Sequence, residues 1–155
     1  MGELLRRGHI AALAPPGAPH MDILIADRSG QNLFSLQVKT CLTKSGWPMS
    51  KKHESIIEDR LFYVFVNLCV PKNEAPEYFI MPSKTVAHAV KQSHSIWLRN
   101  PGLRGASRKD SDRRVIRKDN SSIFSGEPIQ ADLGPGWMDP YLGAWHYFDV
   151  NPILN

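Results

Sequence analysis

Leu61-Phe-Tyr-Val-Phe-Val-Asn-Leu68 is apolar at almost every position, and that run limits the fold more than any other feature of the chain. A strand with one wet face alternates, whereas a strand apolar on both parities must be covered on both faces. The run is too short for an ordinary buried helix, so it predicts a central strand inside a sheet with a layer packed on each side. A chain of 155 residues buries roughly 70% of the surface it exposes when unfolded, so one hydrophobic core suffices without staples. The expectation is a single α/β domain over residues 1–155, a mixed β-sheet flanked by helices.

The remaining elements are read around that strand. Glu3 to Arg7, stopped by Gly8, reads as the last turn of a helix, and a turn this short needs either tight packing or more helix upstream of Met1. His9–Ala14 predicts a short strand before a loop forced by Pro15, Pro16, Gly17 and Pro19. Asp22–Asp27 and Leu33–Thr40 predict a hairpin with its loop near Gly30. Residues 41–60, broken by Gly46 and Pro48, predict irregular chain with a short helix near His53–Asp59. Glu77–Met81 predicts a further strand. A helix then runs from a Ser83 cap to Leu98, with Val86, Ala89, Val90, Ser93 and Trp97 as its buried stripe. Residues 99–136 predict a long, partly mobile excursion. Asp139-Pro140 opens a short closing helix whose Tyr141, Trp145 and Phe148 share a face.

Several classes are excluded or disfavoured. No apolar run reaches the roughly 18 residues that cross a bilayer. Leu4-Leu5 runs straight into Arg6-Arg7, which is no secretory signal. Cys41 and Cys69 fit neither a zinc spacing nor a disulfide framework, and predict reduced thiols in a cytoplasmic protein. There is no phosphate-binding P-loop and no G-x-S-x-G elbow. The net charge of +4 mildly favours anionic partners.

The hairpin carries the chemistry. Gln37 and Lys39 share a face of the return strand because side chains alternate. A loop centred near Gly30 makes paired positions sum to roughly 60 or 61, which sets Asp22 opposite Val38 or Lys39. A carboxylate, an amide oxygen, an ammonium and the Val38 backbone carbonyl then converge at the hairpin's open end. Carboxylate and carbonyl oxygens suit a hard cation. The lysine stabilises charge on a phosphate or orients a water.

Asp22, fourteen intervening residues and Gln37-Val38-Lys39, on a hairpin after an N-terminal helix, resemble the PD-(D/E)XK restriction-endonuclease-like nucleases. Glutamine in place of the second acid is similar to variants found in Mrr-type restriction enzymes and some homing endonucleases. The resemblance covers residues 1–98, with the irregular basic segment and C-terminal helix over 99–155 outside it. It implies that core fold, Mg²⁺ or Mn²⁺ as cofactor, DNA as partner, compatibility with a homodimer, and endonucleolytic hydrolysis of a phosphodiester bond. By the same resemblance Asp22 is the metal carboxylate, Gln37 the second ligand with the Val38 carbonyl, and Lys39 the catalytic lysine. Two features depart from the pattern. Pro19 lies three residues before Asp22, and Glu3, the candidate for a helix-borne acid, lies close to its helix's end. Glu54 or Glu58 are substitutes for it.

Other residues have plainer roles. His20 reads as a loop residue and His88 and His94 as surface or edge positions. Cys41 reads as a buried thiol. Trp137, Tyr141, Trp145 and Tyr147 read as core plugs. Arg104, Arg108, Lys109, Arg113, Arg114, Arg117 and Lys118 face only Asp110 and Asp112, which suits a DNA-binding arm that tracks phosphates. Two rival readings remain: a nucleic-acid-binding protein on the same fold without turnover, and a structural or protein-interaction module.

Overall fold

The computed structural model describes residues 1–27, 29–42, 46–70, 74–120 and 133–149. Helix α1 (Gly2–Arg6) leads into strand β1 (Ile10–Leu13) and the hairpin β2 (Ile23–Ala26) and β3 (Leu33–Cys41). Strand β4 (Trp47–Ser50) and a 3₁₀ turn (Lys51–Glu54) precede β5 (Leu61–Asn67). Then come β6 (Glu77–Pro82), α2 (Ser83–Arg99) and β7 (Arg113–Ile116). Two sheets result, one ordered β1-β2-β3-β5-β6 and one pairing β4 with β7. The larger is mixed: β3 runs parallel to β5, and the other neighbours are antiparallel. This is a single α/β domain.

Strand β5 is buried at every position, as its composition demands. Its two parities feed two cores. Phe62, Val64 and Val66 join Leu4, Phe34, Leu36, Trp145 and Phe148 on one side. Leu61, Tyr63 and Phe65 join Trp47, Met49, Phe79, Val86 and Val90 on the other. A parallel pair needs a crossover, and β4 with its 3₁₀ turn supplies it here in place of a longer helix. The second core covers β5 and β6, whereas Ile10 on β1 and Leu24 and Leu33 on the hairpin remain exposed.

The hairpin register differs from the expected one. Ile23 faces Leu36, so Asp22 comes level with Gln37 rather than Val38 or Lys39. The loop is tightened by Asp27, whose carboxylate accepts from the Ser29 hydroxyl (2.7 Å), the Gln31 N–H (3.2 Å) and the Asn32 amide (2.6 Å). Those bonds hold its pKa well below the usual carboxylate range, the Asn32 amide contributing most. Arg28 of this loop lies outside the described residues.

The chain around β4 and β7 also departs from the sequence expectation. Residues 47–50 form a strand, because Trp47 and Met49 point inward and the Trp47 indole donates to the Val66 carbonyl at 2.9 Å. Pro48 sits outward between them, on an edge where its missing N–H costs nothing. Residues 113–116 form β7 against it, in what was expected to be an irregular excursion. The excursion proper is 100–112, and 121–132 lies outside the described residues. The expected helix near His53–Asp59 is only the 3₁₀ turn at 51–54.

Ser83 does not cap α2. Its hydroxyl donates to the Glu58 carbonyl and accepts the Glu58 N–H, pinning the entry to β5, and Pro82 precedes the helix. Val86, Ala89, Val90 and Ile96 are its buried stripe. The closing helix is two 3₁₀ turns, Asp139–Tyr141 and Trp145–Phe148. Gly143, at a φ of 61°, separates them. Trp145 and Phe148 enter the first core while Tyr141 packs on the second, so the three do not share one face. Among the described residues, no helix is long and apolar enough to cross a membrane.

Candidate active site

Asp22 sits where β2 leaves the ladder. Its N–H donates to the Leu36 carbonyl at 2.7 Å, and its Oδ2 accepts the Val38 N–H at 2.7 Å. The carboxylate therefore replaces a strand partner and is clamped against the residue between Gln37 and Lys39. A residue's N–H and C=O point to the same edge of a strand, so the Val38 carbonyl also turns toward the Asp22 side. The side chain is exposed, so the acid is held by backbone yet open to solvent.

Gln37 and Lys39 lie level with Tyr63 and Phe65 across the parallel pair, on the face of the second core. That core ends beneath them, and the uncovered hairpin begins. They stand on a ledge between packed interior and open surface. The Gln37 Oε1 is buried with no hydrogen-bond partner. Buried polar atoms of this kind are rare and mark sites where a ligand or water belongs.

Two neighbours were not found by sequence reasoning. The Tyr63 hydroxyl and His53 Nε2 are also buried without partners, and the two rings meet edge to face at 5.9 Å. His53 Nδ1 is held by Ser50, 3.1 Å from its N–H and 3.0 Å from its hydroxyl, which leaves Nε2 as the ring nitrogen with no partner. Burial lowers the His53 pKa first, and the charges of Lys39, Lys52 and His20 lower it further. Burial raises the Tyr63 pKa, assisted by the Glu58 carboxylate. His20 and Glu58 thus belong to the electrostatic surroundings of this ledge. Tyr63 was hidden because it reads as one more apolar residue of β5. Only its register with Gln37 shows it.

The structure does not bring Glu3 to this group. Leu4 packs α1 into the first core, on the face opposite Gln37. The Glu3 carboxylate is held by Arg6 at 2.8 Å and Arg7 at 2.9 Å. Glu54 is likewise committed, to Arg114. Among the described residues there is no cluster of three or more His, Cys, Asp or Glu side chains able to hold a metal. The available donors are Asp22, the Val38 carbonyl and the Gln37 Oε1. This set fits a hard cation held by oxygen, with one charge from the protein.

The basic segment divides. Arg108 stacks over Trp97 at 4.7 Å and donates to the Trp97 carbonyl at 3.0 Å. Arg114 is buried on Glu54, and Lys118 pairs with Glu77 at 2.8 Å. These three hold the fold. Arg104, Lys109 and Arg113 are exposed, and Arg117 is half-buried. Trp145 is a buried plug, and Trp137, Tyr141 and Tyr147 pack against the two cores. His88 is exposed, and His94 is packed on Trp97 and bonded to Asp110 at 2.8 Å. Cys41 is half-buried and packs on the second core.

No family model matches the chain, and no curated protein matches it. Among solved structures, that of a bacterial homing endonuclease, I-Ssp6803I, aligns with a TM-score of 0.48 at 12% identity, over 96% of this chain and 81% of that one.

Proposed function

We propose that this chain is a metal-dependent DNA endonuclease whose site is Asp22, Gln37 and Lys39. The observation that carries the reading is the clamp of the Asp22 carboxylate on the Val38 N–H, beside a buried, unpartnered Gln37 oxygen. An ordinary solvated hairpin face has no reason to strand an amide oxygen. DNA is the substrate that the resemblance of the motif implies.

Asp22, the Val38 carbonyl and Gln37 hold Mg²⁺ or Mn²⁺, and the ion supplies Lewis acidity at the phosphate when bound. Lys39 brings an ammonium to the non-bridging oxygens, where charge grows as water adds to phosphorus. The Val38 N–H fixes the direction of the Asp22 carboxylate, so no reorganisation is needed when substrate arrives. Lys52 adds positive potential that attracts a polyanion.

The test is Lys39→Ala. The side chain is half-exposed at the ledge, so the variant keeps its fold while cleavage of a supercoiled plasmid with Mg²⁺ or Mn²⁺ is lost. A folded Lys39→Ala protein that cleaves at the wild-type rate refutes the mechanism. The single carboxylate favours a second reading, nucleic-acid binding without turnover. Wild type that binds duplex DNA but cleaves none with either metal decides for it.

A further inference from the structure

A cavity of about 240 Å³ opens between α2 and β7, apart from the ledge, and Arg113 and Arg117 line it with Ser93, His94 and Trp97. The arginines are two apart from Val115 on either side, so β7 and its extension present both to the same face. Among the described residues neither has an acidic partner. Burial disfavours the Arg117 charge, and Arg113 beside it disfavours it further. Their neighbour Arg114 has absorbed the nearby acids: Glu54 and, at 3.3 Å, Asp110, which also binds Lys51 and His94. Arg117 is half-buried and Arg113 exposed, and the two like charges at this cavity repel each other with no carboxylate among the described residues paired to either. Their fork of donors matches phosphate oxygens.

The occupant is a group rather than a molecule. Pockets that enclose a whole small ligand run from roughly 300 to 1,000 Å³, and this one is smaller. A base is not favoured, because both His94 and Arg108 already stack on Trp97. The 3₁₀ turn links the cavity to the ledge. Lys52 and His53 lie toward Lys39, and Lys51 reaches Asp110 beside the cavity.

We propose that this cavity is a phosphate anchor, in which Arg113 and Arg117 together clamp one backbone phosphate of a nucleic acid at a point remote from the bond held at Lys39. It rests on the nuclease reading only for the identity of the polyanion.

The test uses Arg113→Gln, Arg117→Gln and the double variant, with inorganic phosphate and a metal-free 20-bp duplex as probes. Phosphate shifts the side-chain N–H signals of both arginines in NMR spectra, and duplex suppresses the shift. In fluorescence anisotropy over a salt series, each single variant and the double lower the slope of log K on log salt by the same amount, about 0.9, because one phosphate contact is lost each time. Steps of about 0.9 for each single and about 1.8 for the double mean two independent backbone contacts, which overturns the clamp. An unchanged slope also overturns it, and leaves the nuclease reading to the Lys39→Ala assay. Phosphate shifts at both arginines without any duplex binding overturn the nucleic-acid anchor and leave the nuclease reading to the Lys39→Ala assay. The variants melt no lower than wild type, since an uncompensated charge has been removed. A clear loss of Tm makes the pair structural and overturns the proposal.

Discussion

Replacing Gln37 by methionine separates an oxygen kept for a ligand from one that serves the fold. Methionine has nearly the same length and volume and no polar group. The Gln37 Oε1 is buried without a donor, and stranding such a group costs the fold about 1–3 kcal/mol. Repacking a volume-conserving change takes back part of that, less than about 1.5 kcal/mol. The net expectation is a gain of about 1–2 kcal/mol. In a domain of this size each kcal/mol moves Tm by about 2–4 °C, so Gln37→Met melts roughly 2–8 °C higher in metal-free buffer. In urea its midpoint rises with an unchanged m-value, because the surface exposed on unfolding is the same. The same variant loses cleavage. A residue whose removal strengthens the fold and abolishes the reaction is one that stability does not explain. A variant that melts lower than wild type by the equivalent of 1 kcal/mol or more refutes the reasoning. In that case the oxygen already has a partner in the free protein and is not reserved for a ligand.

Tyr63→Phe removes the neighbouring stranded hydroxyl with almost no change in volume, so it too raises Tm, and the gain does not add to that of Gln37→Met because the two side chains adjoin; a fall in Tm means that the hydroxyl is hydrogen-bonded. Gly46→Ala strikes the junction of β4 and β7, where φ is +107° and an added Cβ would lie 2.5 Å from the Ile116 carbonyl oxygen. A left-handed backbone and a clash with main chain together cost about 2–4 kcal/mol, read as a lower urea midpoint, and a variant as stable as wild type contradicts that packing. Asp110 is held down to about 2, chiefly by its bond to His94 and then by Lys51. A depressed carboxylate stabilises the fold above its unfolded value near 3.9, and that contribution is lost as pH falls from about 4 to about 2. Asp110→Asn therefore flattens, without abolishing, the fall of Tm over that window, since Asp27, whose pKa is depressed further still, also loses its stabilising contribution as pH falls through it; an unchanged profile refutes the assignment.

The sheet was legible because its strands are coded locally. Leu61–Asn67 is apolar on both parities, and the hairpin strands are aliphatic around a glycine loop. The second sheet was not, for a reason that lies in Arg114. That residue occupies an inward position of β7, and its charge hides the alternation of Arg113–Ile116. Glu54, sixty residues earlier in the chain, and Asp110 make the burial tolerable. Pro48 hid β4 in the same way, since a proline inside a four-residue strand argues against one unless the strand lies at an edge. At the site, Asp22, Gln37 and Lys39 were visible as polar residues on an apolar hairpin. Their register was misjudged because the Asp27 network makes the loop tighter than its glycine alone implies. Tyr63 and His53 were invisible because their polar atoms matter only through a parallel pairing that no local pattern encodes.

The charges around the ledge carry one further consequence. The donor set supplies one negative charge, from Asp22, while Lys39 and Lys52 bring positive potential to the neighbouring His53. Mg²⁺ dehydrates reluctantly and prefers charged or phosphate oxygens. On the proposed function the free protein binds metal weakly, and the charge that is missing arrives with a DNA phosphate. Binding of metal and of DNA must then be coupled, and equilibrium linkage makes the coupling reciprocal. Duplex tightens Mn²⁺ binding by the same factor by which Mn²⁺ tightens duplex binding. Couplings of this kind amount to about 1–3 kcal/mol, or roughly 5–150-fold. Gln37→Glu adds a second carboxylate at the same reach, so it tightens Mn²⁺ in the absence of DNA and shrinks the coupling, because less is left for the phosphate to supply. Calorimetric titration of Mn²⁺ into wild type and Gln37→Glu, each with and without a non-cleavable phosphorothioate duplex, measures all four affinities. Equal Mn²⁺ affinities for the two free proteins mean that Gln37 is not a ligand. Equal coupling in both means that the substrate phosphate does not complete the metal's coordination, and the site as assembled from these residues is wrong.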